Sequence, residues 1–247
     1  ASAALIGQST RILFETDDAF AAFGEEAYRS LAGGASFTAT LMMVHADGSS
    51  FWCELTGSAV NPRYPRESSI WIFTDVTERK MAEERAKFLS YHDALTGLPN
   101  QLLLQDRLQQ AIAFSNRMGT KVALMVLDID RFKAINDFLG HDAGNRMLVA
   151  VAERLKVHLR GTDTVCRQGG DEYLLLLTNL AEPDAVVTFL GELQNSFREP
   201  FRIDDNEMAI SVSVGVTMYP EDGADFETLL KKADMAMFRA KDAGRNT

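Results

Sequence analysis

"CRQGGDEYLLLL", Cys166 to Leu177, sets two glycines and two acids at the mouth of an apolar run. Each of those four choices opposes strand formation, because glycine gives up backbone entropy and adjacent carboxylates repel. The leucine run reads as a buried strand and "TVC" just before it as another. Gly169-Gly170 then reads as the tight turn between them, glycines supplying the positive φ that such a turn needs. Taken alone, the stretch is explained by a hairpin with solvated acids. A segment that breaks local rules is nevertheless the first place to look for function.

The second informative stretch is "LMVLDIDRFKAINDFLGHDAGN", Leu124 to Asn145. It ends a strand that is apolar on both faces with Asp128 and Asp130, which alternation puts on one face. Buried carboxylates at a strand end are costly unless a cation compensates. If this strand lies beside the Gly-Gly hairpin, Asp128 and Asp171 can share a Mg²⁺ or Mn²⁺, ions that prefer oxygen ligands and keep substrate phosphates in their shell. The glycines then gain a second use, letting a phosphate approach the backbone. Lys133, just past the strand end, is a candidate phosphate partner or an ordinary exposed lysine. Lys241 and Arg245 in "FRAKDAGRN" add two cations where a helix C-terminus also favours positive charge.

Around these stretches the chain changes character twice. Up to Val76 it shows a short helical stretch and three strand-like runs, "SFTATLMMVHADG", "SFWCELTGSAV" and "SSIWIFTDVT". Asp47-Gly48 between alternating runs predicts a hairpin, and "NPRYPRE" a longer loop. Residues 77–92 are charged, free of Gly and Pro, and helical in propensity, with a short apolar stripe that suits either a partner helix or a solvated connector. From residue 93 onward helix and strand alternate: helices over 99–119, 145–160 and 183–197 and a last one running to Gly244, with strands at 121–130, around Gly169-Gly170, and a strand pair ending in "AISVSVGVTMYP". This predicts an α/β (α+β) architecture, a central sheet flanked by helices.

Composition narrows the function class. The 247 residues are 46% hydrophobic and 24% charged, ordinary for a globular protein. A formal net charge of -10 argues against binding a nucleic acid polymer, which needs a Lys/Arg excess. No apolar run approaches the roughly 18 residues of a membrane span. Cys53 and Cys166 have no metal-binding spacing and read as free thiols in a reducing compartment. The chain opens on Ala1 without a basic, apolar leader, which reads as a fragment of a longer protein.

"DALTGLPN", "LDIDRFKAIND", "GHDAGN", "RQGGDEY", "SVSVGV" and "FRAKDAGRN", in this order, resemble the GGDEF-domain diguanylate cyclases of bacterial signalling, over 93–247. Residues 1–76, leading into "DVTERK" (75–80), look like the C-terminal part of a PAS sensor domain joined by a connecting helix over 77–92. The resemblance implies a nucleotidyl-cyclase-like sheet and the condensation of two GTP to cyclic di-GMP plus two pyrophosphates in a bacterial cytoplasm. It implies that Asp128, the Ile129 carbonyl and Asp171 bind Mg²⁺ or Mn²⁺. Asp171 with Glu172 would deprotonate the attacking 3′-hydroxyl and Lys133 would stabilise the transition state. Gly169 and Gly170 would admit the phosphates, Lys241 and Arg245 would hold the terminal ones, and Asn136 and Asn145 would read the guanine edge with His141 nearby. Each subunit would hold one GTP, so a homodimer is implied. Arg160 and Asp163 match the R-x-x-D element that binds the product and inhibits the enzyme; by charge alone they make only a surface ion pair.

Three positions depart from the pattern. Asn145 stands where the family usually has Asp, trading a carboxylate that accepts two N–H bonds for an amide with one acceptor. Tyr173 replaces the Phe of the motif name, adding a hydroxyl that needs a partner when buried. Gln101 replaces a common Arg. Asn145 gives weight to a second reading, a catalytically silent GTP- or cyclic di-GMP-binding module that regulates a partner domain, such as a further C-terminal one.

Overall fold

Alternating hydrophobics build the first part of the molecule. A computed structural model describes residues 6–247, and the chain divides there into two units, one ending at Lys87 and the other running from Phe88 to Thr247. In the first, helix α1 (Asp17–Ala32) starts where Thr16 Oγ1 accepts the Ala19 N–H at 3.1 Å, with Asp17 and Asp18 favourably placed in its first turn. Strands β1 (Phe37–Val44), β2 (Ser50–Ala59) and β3 (Ser69–Asp75) follow as an antiparallel sheet in that order. The Asp47-Gly48 turn forms as its sequence predicts; Asp47 Oδ1 accepts the Ser49 N–H at 2.9 Å and His45 N–H donates to the Ser49 carbonyl at 2.8 Å. Phe14, Met43, Cys53 and Leu55 are buried between sheet and helix, with Phe20, Phe23 and Trp71 against them. Helix α2 (Thr77–Tyr91) has no buried residue, and Met81, Phe88 and Leu89 stand exposed on it.

The second unit is organised by its most apolar segment. Helix α3 (Gln101–Met118) is capped by Asn100, whose Oδ1 accepts the Leu103 N–H at 3.1 Å, and ends at Gly119. Strand β4 (Lys121–Ile129) follows, buried along almost its whole length. Then come α4 (Phe132–Leu139), α5 (His141–Val157), β5 (Thr164–Gly169), β6 (Glu172–Leu180), α6 (Asp184–Ser196), β7 (Phe201–Ile203), β8 (Asn206–Met208), β9 (Val212–Tyr219) and α7 (Phe226–Asp242). The main sheet has the order β5-β6-β4-β9 with every neighbouring pair antiparallel.

Both faces of β4 are covered, which is why its sequence shows no polar alternation. Ala123, Met125, Leu127 and Ile129 share a core with Met147, Leu148, Val151 and Leu155 of α5. Val122, Leu124 and Val126 share another with Leu104 and Leu108 of α3 and Leu229, Ala233 and Met237 of α7. Each such leucine contributes about 2 kcal/mol on burial. Helix α7 comes so close to β9 that a Cβ at Gly215 would overlap the Ala233 carbonyl.

Two sequence expectations change. The strand pair expected to end in "AISVSVGVTMYP" is not a pair: β7 and β8 form their own two-stranded sheet, and β9 instead joins β4. The reason is the turn at Asp204, whose φ of 53° folds β8 back on β7 before the chain returns to the main sheet. Helix α5 also begins four residues earlier than expected, at His141, and stops at Val157.

Candidate active site

Antiparallel register brings the two decisive stretches side by side. Asp128, next to last in β4, lies opposite Glu172, the first residue of β6, and on its other side opposite Ser213 of β9. Cross-strand neighbours project to the same face, so the Asp128 and Glu172 side chains share one. The turn Gly169–Asp171 closes over this end of the sheet, and the Ile129 N–H donates to the Asp171 carbonyl at 3.3 Å. Positive φ favours glycine at both Gly169, at 152°, and Gly170, at 53°.

The electrostatics of this corner follow from crowded carboxylates. Asp128 is only 6% exposed. Burial pushes its carboxyl above the usual carboxylate range, Asp171 and Asp130 push the same way, and Lys241 opposes them. The Lys241 ammonium from the last turn of α7 lies 2.7 Å from Asp128 Oδ2. Glu172 is raised as well, by burial first and then by Asp128, Asp234 and Asp171. Asp234, one helical face with Lys241 on α7, is a contributor that sequence reasoning missed; burial raises it too. Nothing in its local sequence marks it, because its effect exists only once α7 lies on the sheet.

Asp130 has another job. Its Oδ2 accepts the Ser211 hydroxyl at 2.6 Å and the Asn246 N–H at 3.1 Å, and its Oδ1 accepts the Ser213 hydroxyl at 2.7 Å. It therefore ties the chain end to the sheet. Arg245, beside Asn246, lines a groove with Asp130 and Arg131.

Lys133 lies in the first turn of α4, exposed, with no hydrogen-bond or ion-pair partner among the described residues for its ammonium. Asn136, on the same helix, is partly buried; Asn145 and His141 are exposed on α5. The side chains of all three are likewise without hydrogen-bond partners among the described residues. Cys166 is fully buried, and burial pushes its thiol up to about 12, away from the thiolate form. Both cysteines are free and buried.

The turn is held from behind. Arg167 donates through Nη1 to both oxygens of Asp93, at 3.0 and 3.1 Å, and through Nη2 to the Gly170 carbonyl at 2.6 Å. Burial works against the Asp93 charge, but bonds from Thr96 and then Arg167 hold its carboxyl below the ordinary value. Tyr173 is fully buried, and its hydroxyl donates to the Leu148 carbonyl of α5 at 2.7 Å. The hydroxyl that the sequence adds thus has its partner.

Arg160 and Asp163 lie together in the turn before β5, at the end of that strand opposite this corner, and on a different cavity. Asp163 Oδ2 accepts the Arg160 N–H and its Oδ1 the Thr178 N–H, both at 3.1 Å. The two residues line a cavity of about 280 Å³ with His158, Thr178, Thr188 and Glu192.

A model of the family described as "Diguanylate cyclase, GGDEF domain" matches residues 90–247. The chain belongs to the GGDEF diguanylate cyclase family. It is 44% identical over 158 residues to the bifunctional diguanylate cyclase/cyclic di-GMP phosphodiesterase MucR of Pseudomonas aeruginosa, a match covering 64% of this chain and 23% of MucR. The chain thus spans about a quarter of the length of that relative. The solved GGDEF domain of TpbB (YfiN) from Pseudomonas aeruginosa superposes with a TM-score of 0.61 at 39% identity, covering 63% of this chain and 91% of that one. The coiled coil and GGDEF domain of DgcB from Caulobacter crescentus, solved in complex with c-di-GMP, gives 0.61 at 27% identity over 69% of this chain and 91% of that one. No described helix is long and apolar enough to cross a membrane.

As they stand, no three His, Cys, Asp or Glu side chains among the described residues are arranged to hold a metal ion. The expected set needs only two carboxylates and one backbone carbonyl, the remaining positions going to phosphate and water. An all-oxygen donor set suits Mg²⁺ or Mn²⁺. Burial first, and then neighbouring carboxylates, raises the carboxyls of Asp128 and Glu172, and a cation among these oxygens would offset both, so the residues fit such an ion.

Proposed function

We propose that this chain condenses two GTP molecules to cyclic di-GMP with release of two pyrophosphates. The observation that carries the reading is the corner formed by Asp128, Asp171, Glu172 and Lys241 below the Gly169-Gly170 turn. Carboxylates that repel one another, with a lysine among them, make a site whose charge is completed by divalent cations and a polyphosphate.

In this reading Asp128, the Ile129 carbonyl and Asp171 hold Mg²⁺ or Mn²⁺, which when bound neutralises phosphate charge and makes a hydroxyl more acidic. Asp171 takes the 3′-hydroxyl proton, helped by Glu172, whose carboxyl is already raised. Lys133, without a partner among the described residues, moves onto the phosphate at which charge develops. Lys241 exchanges Asp128 for the terminal phosphates, joined there by Arg245. Asn136 and Asn145 read the guanine edge, with His141 at the rim. Because one corner holds one nucleotide, two copies of the chain meet face to face for each to attack the other's substrate. The N-terminal unit acts as a PAS-type sensor ahead of α2, and the cavity at Arg160 and Asp163 takes the cyclic dinucleotide product.

One observation favours a second reading. Asn145 presents an amide in place of the carboxylate that would accept two guanine N–H bonds, which suits a module that binds nucleotide without turning it over. Incubation of the chain with GTP and Mg²⁺, followed for cyclic di-GMP and pyrophosphate, separates the two. Binding of GTP with no product from either the native chain or Asn145→Asp would rule out the cyclase.

A further inference from the structure

Gly144 lies buried within α5 in ordinary helical backbone, where alanine is the better residue by about 1 kcal/mol. The backbone does not require glycine there; what a side chain would displace is the movable end of Asn136. A Cβ at 144 would overlap the Asn136 Oδ1 and come within 3.3 Å of Phe132 Cζ. The Asn136 amide of α4 therefore lies across the bare surface of α5, in the volume that a side chain at 144 would take. That amide has no hydrogen-bond partner among the described residues, and Asn145, the next residue on α5, presents a second unpartnered amide.

We propose that Gly144 is a positioning residue for base selection: by having no side chain it fixes the Asn136 amide beside Asn145, so guanine recognition depends on a residue that never touches the base. The proposal rests on the reading of Asn136 and Asn145 as the guanine-binding pair. An amide displaced from its place loses the paired hydrogen bonds that distinguish one purine edge from the other. A side chain at 144 therefore acts on discrimination between purines, which a general loosening of the domain would leave alone.

The test is a double-mutant cycle on the full chain, with Gly144→Ala, Asn136→Ala and the double variant. Binding of 3′-deoxy-GTP and 3′-deoxy-ATP, which lack the attacking hydroxyl and cannot cyclise, is measured calorimetrically with Mg²⁺, and each variant is also melted without ligand. Gly144→Ala is expected to weaken 3′-deoxy-GTP about tenfold and 3′-deoxy-ATP much less, and to cost nothing further once Asn136 is already Ala. The melts should follow the same pattern, since Gly144→Ala improves helix propensity and its severe overlap is with Asn136, the 3.3 Å approach to Phe132 Cζ being the smaller of the two contacts. A penalty of equal size in the Asn136→Ala background, or 3′-deoxy-GTP binding by Gly144→Ala within twofold of the native chain, overturns the proposal. Failure of the native chain to prefer 3′-deoxy-GTP overturns the guanine reading itself, and the ligand-free melts then report separately whether positions 144 and 136 are coupled.

Discussion

The Lys241 ammonium lies 2.7 Å from Asp128 Oδ2, so the cation nearest the proposed metal site is the protein's own. The Lys241 side chain is 26% exposed and that of Asp128 9%, which leaves the pair little water to screen it. Replacing Lys241 by Met removes both the counter-charge of Asp128 and the phosphate partner of the proposed mechanism. We expect Lys241→Met to lower cyclic di-GMP formation by about two orders of magnitude and to weaken GTP binding in calorimetry. Native-like turnover would show that α7 takes no part in the chemistry.

Asp128→Asn should separate stability from activity. A carboxyl whose folded pKa is raised costs stability at neutral pH, and the cost disappears as pH falls below its unfolded value of about 4. Asp128→Asn is therefore expected to abolish turnover while melting at least as high as the native chain at pH 7. That advantage should vanish near pH 3.5. A neutral-pH melting temperature well below native would mean that the Lys241 pair outweighs the burial of Asp128.

Asp93 carries the opposite sign. Its depressed carboxyl contributes stability that is fully present above the unfolded pKa and is lost as pH falls through the lower, folded one. Asp93→Asn leaves a nearly buried Arg167 without its charge partner, at a cost of about 3 kcal/mol. Chemical denaturation at pH 7 should show that loss, and the difference from native should shrink in acid. An unchanged denaturation midpoint would indicate that Arg167 finds another acceptor.

Arg160 and Asp163 should behave differently despite sharing a motif. Both Asp163 oxygens accept backbone N–H groups, as a helix cap does, so Asp163→Ala should cost about 1 kcal/mol and lower the melting temperature. Arg160→Ala leaves those bonds in place and should instead weaken calorimetric binding of cyclic di-GMP. Equal product affinity in Arg160→Ala would remove the cavity from the regulatory reading.

Asn145→Asp restores a two-fold acceptor at the proposed guanine edge. We expect kcat/KM for GTP to rise about tenfold, with ATP unaffected. A fall, or an equal rise for both nucleotides, would place position 145 outside base recognition.

Much of the second unit was legible because burial leaves a mark on composition. Strand β4 shows as an apolar run with no alternation since α5 covers one face and α3 with α7 the other. The Asp47-Gly48 hairpin was equally plain, turn chemistry being local. What escaped is what depends on distant partners. Asp130 reads as a twin of Asp128, yet Ser211, Ser213 and Asn246 claim it, none nearer than 81 positions along the chain. Asp234 bears on Glu172 only once α7 is folded against the sheet. The turn that folds β8 back on β7 likewise holds a left-handed residue, Asp204, that no periodicity reveals.

Arg167 grips the Asp93 carboxylate with one arm of its guanidinium and the Gly170 carbonyl with the other. The loop by which the chain enters this domain and the loop over the proposed chemistry are thus two ends of one latch. Displacing either loop must carry the other along or break the bonds of one guanidinium.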